Sequence, residues 1–235
     1  MLKVMSFNTQ HFLNYQTKEI DYNGTINLIN KYKPDIIGLN EVYGNGFDKN
    51  IKTSQIEEVA NKLKYYYYFG KATKLFFKDY GNALLSKYPI IEAKTIKIPR
   101  IIFKKGFKYY EKRSIIKAKI QIKDKIITIY ITHLGLNKDE QIKGLNTLNS
   151  LLKDDKFIIM GDFNISYGNK LLNIISDKTF DTANLFNNQL LSWPSDKPKY
   201  KFDYILTSKD IKTISADIPN DIVSDHRPYI AEIDI

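Results

Sequence analysis

The stretch IIMGDFNIS, residues 158–166, places the strongest single constraint on how this chain folds. Its apolar start, Ile158-Ile159-Met160, predicts a buried strand, and Gly161 marks a point where backbone or a ligand comes close. Asp162 and Asn164 stand at i and i+2, so on a continuing strand both side chains project from one face. Such a pair can grip a hydroxyl, a water or a phosphate oxygen. It can equally be an Asp that starts a turn and an Asn that caps it, and this stretch alone leaves both interpretations open.

Similar apolar runs recur along the chain and predict strands at 2–8, 35–41, 65–69, 82–86, 90–98, 115–122, 126–132, 157–160, 202–207, 211–216 and 228–235. Helical spacing predicts helices over 25–32, 53–63, 138–152 and 168–176. Residues 9–24, 42–50 and 177–201 are expected to be loops, and 70–81 and 104–106 to be turns. Strands outnumber helices and occur as hairpins mixed with β-helix-β units, which predicts an α/β (α+β) protein with two packed, largely antiparallel or mixed sheets and helices outside. No GxGxxG or P-loop pattern is present.

Composition excludes several classes of protein. The 235 residues, 43% of them hydrophobic, show no linker and no repeat, so a single domain over 1–235 is expected. The chain has no run of 18 apolar residues, so no transmembrane span is predicted. The first residues also lack a signal-peptide pattern, which favours a cytoplasmic location. Cysteine is absent, so disulfides, Cys-ligated zinc and a thiol nucleophile are excluded. A metal would be held by oxygen or His, which points to magnesium, manganese or calcium.

Net charge is +10, from 36 Lys+Arg against 26 Asp+Glu. This excess favours polyanionic partners, either nucleic acid or an anionic membrane. The cations are mostly Lys in a chain rich in Ile, Asn and Tyr, which is also the composition that an AT-rich genome encodes. Charge alone therefore leaves binding and composition bias as equal alternatives.

Polar residues stand where several apolar runs stop: Asn8, Glu41, His133, Asp162, Asn164, Asp203, Asp225 and His226. Together they make a coherent phosphate chemistry. A divalent metal on Glu41, with Asn8 or Asp225, would polarise a phosphoryl oxygen. A neutral His could accept a proton from water with an Asp behind it, and a second, protonated His could hold phosphate oxygens.

Each residue also has an ordinary structural interpretation. Glu41 could be a solvated loop carboxylate, His133 a satisfied strand-end side chain, and His226 part of a turn. Arg113 could be plain surface charge. His11 has no identifiable acid partner and is interpreted as structural. The Tyr65–Tyr68 run is interpreted as a strand buried on both faces rather than as a stacking platform for bases.

The segments SFNTQH, KPDIIGLNEV, GNALLSKYPI, EKRSIIKAKI, ITHLGL, IIMGDFNI, FDYILTS and SDHRP resemble, in order, the endonuclease/exonuclease/phosphatase superfamily, with its DNase I-like fold. The resemblance implies a four-layer α/β/β/α sandwich and a metal-dependent phosphoesterase.

The resemblance also implies residue roles. Glu41 is the principal metal ligand, with Asn8 beside it and Asp225 as a further metal-site carboxylate. Asp162 and Asn164 orient the attacking water and contact the phosphate. His226 is the general base or a phosphate-binding His, with Asp203 as its orienting partner; His133 is the second His, and Arg113 holds the phosphate.

Some features depart from the superfamily pattern. Asn40 replaces the usual Gln before the metal Glu, and SDHRP replaces SDHCP, while THLGL, EKRS and SWPSDKP are similar to small bacterial metal-dependent hydrolases. The near-minimal length leaves no room for large insertions or a membrane-binding hairpin. The expected activity is phosphodiester hydrolysis with Mg²⁺, or Mn²⁺ or Ca²⁺, by a monomer. DNA or RNA is the leading substrate, a lipid or small phosphoester the alternative, and a silent polyanion-binding module the remote one.

Overall fold

The computed structural model describes residues 1–44, 53–101, 110–154, 156–185 and 190–235. The strands are β1 (Leu2–Asn8), β2 (Ile36–Tyr43), β3 (Tyr66–Leu75), β4 (Lys78–Ser86), β5 (Ile90–Lys97), β6 (Ser114–Ile122), β7 (Lys125–His133), β8 (Phe157–Asp162), β9 (Thr179–Asp181), β10 (Asp203–Ser208), β11 (Lys212–Asp217) and β12 (Tyr229–Asp234). The α-helices are α1 (Tyr22–Tyr32), α2 (Gln55–Leu63), α3 (Lys138–Leu151) and α4 (Asn173–Ser176), and short 3₁₀ helices span Gln10–Phe12, Lys170–Leu172 and Thr182–Leu185. The predicted turn at 104–106 and most of the predicted loop at 42–50 fall outside the described residues.

Two six-stranded sheets form the body of the molecule. The first has the order β11-β12-β1-β2-β4-β3 and the second the order β5-β6-β7-β8-β10-β9. Both are mixed, because β1 pairs parallel with β2 and β7 parallel with β8, whereas the other pairs are antiparallel. The predicted class, two packed mixed sheets with outer helices in a DNase I-like sandwich, is confirmed.

Alternation along the strands builds the layers. In β1, Leu2 and Val4 belong to the core between the sheets, whereas Met5 and Phe7 pack with α1 and α2 on the outer face. Strands of the second sheet place their other face against α3, where Leu145 is fully buried. A period of two in each strand thus covers both faces of each sheet.

Helix boundaries follow from local capping. The Ser54 hydroxyl accepts from the Glu57 N–H (3.2 Å) and starts α2, as predicted. The α1 helix begins at Tyr22, earlier than predicted, because the Asp21 carboxylate accepts from the Gly24 N–H (2.8 Å). The Asn23-Gly24 pair therefore lies inside the first turn of the helix and does not break it.

The turn predicted over 70–81 is present but much shorter than expected. Most of residues 70–81 belong to β3 and β4, which pair from Tyr66↔Ser86 to Leu75↔Lys78, leaving a two-residue turn. The polar residues here indicated a loop, but β3 is the outermost strand of its sheet and keeps polar side chains in water. The same position exposes Tyr66 and Tyr67, so the predicted burial of this Tyr run on both faces is wrong.

The sheet registers bring the ends of several strands to one edge of the sandwich. Asn8 pairs with Asn40 across β1 and β2, and Asp162 pairs with His133 on one side and Asp203 on the other. We call this edge, defined by these five residues, the polar rim. In the described part of the chain, no helix is long and apolar enough to cross a membrane.

Candidate active site

Asp162 lies at the centre of the polar rim. Its Oδ1 accepts from the Asn164 N–H (2.8 Å), and its Oδ2 accepts from Asn8 Nδ2 (3.1 Å). The same Oδ2 lies 3.5 Å from His133 Nε2 and 3.6 Å from His226 Nε2. Burial raises the pKa of Asp162, while the positive charge of His226 opposes that rise. One carboxylate oxygen therefore faces two imidazoles, that of His133 at the end of β7 and that of His226 just before β12.

His226 is held by an acid on its other side. Its Nδ1 donates to Asp203 Oδ2 at 2.7 Å, which leaves Nε2 directed at Asp162. Burial lowers the pKa of His226, but the charges of Asp203 and Asp162 outweigh it and raise the pKa overall. The sequence predicted Asp203 behind this His, and β10 places it there because its first residue pairs with Asp162.

His133 has the opposite electrostatic environment. Arg113 Nη1 donates to its Nδ1 at 2.9 Å, and Glu111 in turn forms an ion pair with Arg113. Burial and then the Arg113 charge hold the pKa of His133 well below its usual range. A neutral His133 that accepts at Nδ1 carries its proton on Nε2, towards Asp162. The two predicted histidines are thus one neutral and one cationic.

Asn164 stands beside His133. Its Nδ2 donates to the Leu134 carbonyl (3.0 Å) and lies 3.1 Å from His133 Nε2. Its backbone has a positive φ of 51°, which turns the chain out of β8 directly after Phe163. The chain therefore turns at Asn164, as one of the two interpretations expected, and the Asp162 and Asn164 side chains still line the same cleft.

Glu41 reaches the rim through an irregularity in β2. The pairing of β2 with β4 shifts between Leu39 and Val42, and Glu41 has a φ of 59°. A bulge of this kind re-aims a side chain, and a positive φ in a non-glycine residue is held only by its surroundings. The Glu41 carboxylate accepts from Asn8 Nδ2 (3.1 Å), and its charge helps raise the pKa of Asp225 after the larger effect of burial.

The carboxylate oxygens of Glu41 and Asp225 suit a hard divalent cation. Their negative charges repel each other, so a bound cation would relieve this repulsion, and the absence of cysteine leaves oxygen and His as ligands. Within the described ranges, however, no group of three His, Asp or Glu side chains is arranged so that it could hold a metal ion. The Asn8 amide nitrogen donates to the carboxylates of Glu41 and Asp162, and the Asn8 Oδ1 accepts from the Gln10 N–H (3.1 Å). Metal ligation by Asn8 would require its amide to turn over.

Gly161 and Asn40 explain the position of Asp162. A Cβ on Gly161 would lie 1.8 Å from the Thr132 carbonyl oxygen, so only glycine allows β7 and β8 to approach here. Asn40 Oδ1 accepts from the Asp162 N–H (2.9 Å), and its Nδ2 donates to Asn82 Oδ1 (2.8 Å) and the Thr132 carbonyl (3.0 Å). Asn40, which departs from the family pattern, thus joins the two sheets.

A cleft of about 550 Å³ opens above these groups. It is lined by six of the predicted site residues: Glu41, Arg113, His133, Asp162, Asn164 and His226. Asn8 and Asp203 are buried behind it, and Asp225 lies within electrostatic reach of Glu41. All nine predicted site residues are therefore together. His11, interpreted as structural, also lies nearby, since Glu41 and Asp225 oppose the lowering of its pKa by burial.

Sequence reasoning missed the aromatic wall of the cleft. Tyr200 and Phe202 are stacked in parallel with ring centroids 5.2 Å apart, and Trp193 packs against both. The Trp193 ring lies 6.5 Å from that of His226. In the sequence, the SWPSDKP segment, which contains Trp193, is only a family-like motif. The contact of Trp193 with Phe202 depends on backbone hydrogen bonds between Trp193 and Tyr200, which no local sequence pattern reveals.

Comparison with known proteins agrees with this geometry. A model of the Endonuclease/Exonuclease/phosphatase family matches residues 5–226. No curated protein matches the chain significantly. Similar solved structures include an endonuclease/exonuclease/phosphatase from Beutenbergia cavernae, with TM-score 0.82 and 16% identity over 100% of this chain and 71% of that one. A family protein from Leptotrichia buccalis has TM-score 0.80 and 21% identity, covering 100% of both chains. A mannosyl-6-phosphatase from Bacteroides thetaiotaomicron has TM-score 0.77 and 16% identity, also covering 100% of both.

Proposed function

This chain belongs to the Endonuclease/Exonuclease/phosphatase family, whose enzymes hydrolyse phosphate esters, and we propose that it is a divalent-metal-dependent phosphodiesterase. The observation that carries the proposal is the position of Asp162 Oδ2, which lies 3.5 Å and 3.6 Å from the Nε2 atoms of two histidines at the base of one cleft. A carboxylate between one neutral and one cationic imidazole offers an acceptor for water and donors for phosphate.

The side chains divide the work by geometry. In-line displacement puts the attacking water and the leaving oxygen on opposite sides of phosphorus. His226 Nε2 lies 3.6 Å from Asp162 Oδ2. Two groups this close act on the same side of phosphorus, so we place both at the attacking water and the non-bridging oxygens. Asp162 accepts the proton of the water. Of the two roles implied for His226, phosphate binding agrees with its raised pKa, and Asp203 keeps its Nε2 pointing inwards.

Other residues bind and position the phosphate. Arg113 supplies fixed positive charge beside His133, and the Asn164 amide lies at the cleft surface. Glu41 and Asp225, with Asn8 after rotation of its amide, are the residues that would hold Mg²⁺, or Mn²⁺ or Ca²⁺. When bound there, a divalent cation supplies electrophilic stabilisation of charge on the phosphoryl oxygens.

Net charge and one structural neighbour bear on the substrate class. The net charge of +10 keeps nucleic acid as the leading candidate, with a lipid or small phosphoester as the alternative. The neighbour named mannosyl-6-phosphatase acts, by its name, on a sugar phosphate, so a phosphate monoester is also a candidate substrate. A silent polyanion-binding module remains the remote alternative, and it would not require the Asp162–His226–Asp203 arrangement.

The first test is hydrolysis of bis-p-nitrophenyl phosphate, plasmid DNA, RNA, sphingomyelin and sugar and inositol phosphates with Mg²⁺, Mn²⁺ or EDTA. We expect metal-dependent turnover on at least one ester. His226→Ala should lower the rate by about 10²–10⁴-fold, because it removes a charged donor from the transition state.

Asp221→Asn is the matched control, because Asp221 pairs with Lys31 and does not line the cleft. It should retain the wild-type rate, and thermal unfolding should show that the His226 variant is folded. Equal turnover in EDTA, or a His226→Ala variant as active as wild type, would refute the proposed site.

A further inference from the structure

The turn between β3 and β4 exposes two adjacent phenylalanines. Phe76 and Phe77 form the two-residue turn after the last pair of the hairpin, Leu75 with Lys78. Their relative exposures are 79% and 96%. Single exposed apolar residues are ordinary, but two neighbouring aromatic rings on a projecting turn form an apolar tip. We call Phe76 and Phe77 the β3–β4 tip.

The backbone of the tip makes this choice of residues more unusual. The φ angles of Phe76 and Phe77 are 48° and 67°. A two-residue hairpin with positive φ at both positions is strongly preferred by Asn-Gly, and bulky side chains are disfavoured there. The two large rings thus stand at positions where a positive φ disfavours bulky side chains and where exposure to water disfavours apolar ones. Such an outlier indicates a function outside the folded chain itself.

Lysines flank the tip on both strands. Lys74 is exposed on β3 and Lys78 starts β4, while Lys71 forms an ion pair with Asp79 (2.6 Å), the one acidic residue of this hairpin. Beside the hairpin is a groove of about 850 Å³ lined by the cations Lys71, Lys74, Lys97, Arg100, Lys112 and Arg113. No acidic side chain is among the described residues that line it. An apolar tip with basic flanks has the chemistry of a segment that binds an anionic lipid surface.

The hairpin is attached directly to the candidate active site. Tyr80, three residues beyond the tip, pairs with Tyr43 of β2. Burial raises the pKa of Tyr80, and the charge of Glu41 and a side-chain hydrogen bond with it add to that rise. Arg113 lines both the basic groove and the active-site cleft. The tip, the groove and the cleft therefore lie along one edge of the sandwich, so that a surface bound by the tip would face the cleft.

We propose that the β3–β4 tip is a membrane-docking element, in which Phe76 and Phe77 enter the headgroup region of an anionic bilayer and the neighbouring lysines contact lipid phosphates. The sequence analysis predicts no added membrane-binding hairpin. None is needed, because a core hairpin of the first sheet carries the two rings. A deformable lipid surface can enclose both rings of a convex turn, whereas a base stacks on one ring face and leaves the other ring in water.

The test is co-sedimentation of the full-length protein with vesicles in EDTA, so that binding is measured without turnover and independently of the proposed function. Vesicles of phosphatidylcholine and phosphatidylglycerol in equal parts should bind the wild type more strongly than phosphatidylcholine alone. Phe76→Asn/Phe77→Gly should weaken binding at least about tenfold, because two rings leave the interface.

That double variant installs the residue pair that this turn prefers, so its thermal stability should be equal or higher. Its hydrolysis of soluble bis-p-nitrophenyl phosphate should match the wild type. Ile126→Asn is the matched control, since Ile126 is also exposed but lies at the start of β7, at the opposite edge of the sandwich from His133. It should bind vesicles as the wild type does.

Two results would overturn the proposal. The first is wild-type protein that stays in the supernatant with anionic vesicles, or a tip variant that sediments like the wild type. The second is a tip variant that loses affinity for DNA and not for vesicles, which would assign the tip to a nucleic-acid surface.

Discussion

Lys201 shows at the residue scale how burial changes a side chain that composition counts only as charge. Its side chain has no exposed area, and its Nζ lies 3.0 Å from Asp181 Oδ2 and 3.3 Å from the centroid of the Tyr204 ring. Burial lowers the pKa of Lys201 to about 8, although the Asp181 charge opposes this change. The charged form is therefore less favourable in the folded protein than in the unfolded chain.

Lys201→Met should remove a pH dependence of stability. Below pH 8, Lys201 is protonated in both states and the penalty of burying its charge is fully present. As pH rises towards the usual lysine value, the unfolded chain binds more protons than the folded one, so wild-type stability rises. Relative to Lys201→Met, the wild-type free energy of unfolding should increase by up to about 3 kcal/mol between about pH 8 and 10.5. Urea unfolding across that range measures the difference, and parallel curves for the two proteins would contradict it.

At the scale of elements, the end of β2 decides the shape of the site. The bulge between Leu39 and Val42 turns Glu41 to the cleft, while Asn40 on the same strand points between the sheets and accepts from the Asp162 N–H. Neighbouring residues of one strand thus serve the cleft and the sheet-to-sheet connection. The sequence placed Glu41 at a strand end, but the bulge depends on pairing with β4.

Asn40→Ala should destabilise the protein by about 2–4 kcal/mol, because the Asp162 N–H loses a buried acceptor and Asn82 loses its donor. Activity should fall as well, since Asp162 is no longer held from behind. Chemical denaturation and the phosphodiester assay measure the two effects. Asn146→Ala, an exposed position on α3, is the control and should change stability by less than about 0.5 kcal/mol. An Asn40 variant as stable as this control would show that the connection contributes little.

For the whole molecule, the site depends on how the two sheets pack. Asn8 and Glu41 come from the first sheet, and His133, Asp162 and Asp203 come from the second. The Asn8 amide donates to an acid from each sheet, at 3.1 Å in both cases. Any ligand bound at this edge is consequently bound by the assembled sandwich and not by either sheet alone.

Mn²⁺ or Mg²⁺ should therefore raise the thermal stability of the protein. A cation present at about 100 times its dissociation constant stabilises the folded state by about 2.7 kcal/mol. Glu41→Gln should abolish most of the shift in Tm, whereas Glu92→Gln, at an exposed pair with Lys119, should not. Differential scanning calorimetry with and without cation measures this without any substrate. Equal shifts in wild type and Glu41→Gln would place the cation elsewhere.

The sequence by itself indicated the fold class, most of the strands and the polar residues that the fold brings together at one edge, although β9 lies inside the predicted loop 177–201. Strand alternation and the polar residues at strand ends are local signals, so β1, β8 and β10 and the residues at their ends were found nearly in full. The endpoints of α1 and β3 were not, because a cap from Asp21 and an exposed edge strand can be recognised only from their neighbours.

Only the tertiary structure decided how those residues are arranged. Burial and then the Arg113 charge lower the pKa of His133, whereas the charges of Asp203 and Asp162 outweigh burial and raise the pKa of His226, and these charged partners are distant in sequence. The bulge at Glu41, the aromatic wall of the cleft and the exposed β3–β4 tip likewise arise from strand pairing and packing. Electrostatics and burial depend on distances through space, and the chain sets those distances only when both sheets are assembled.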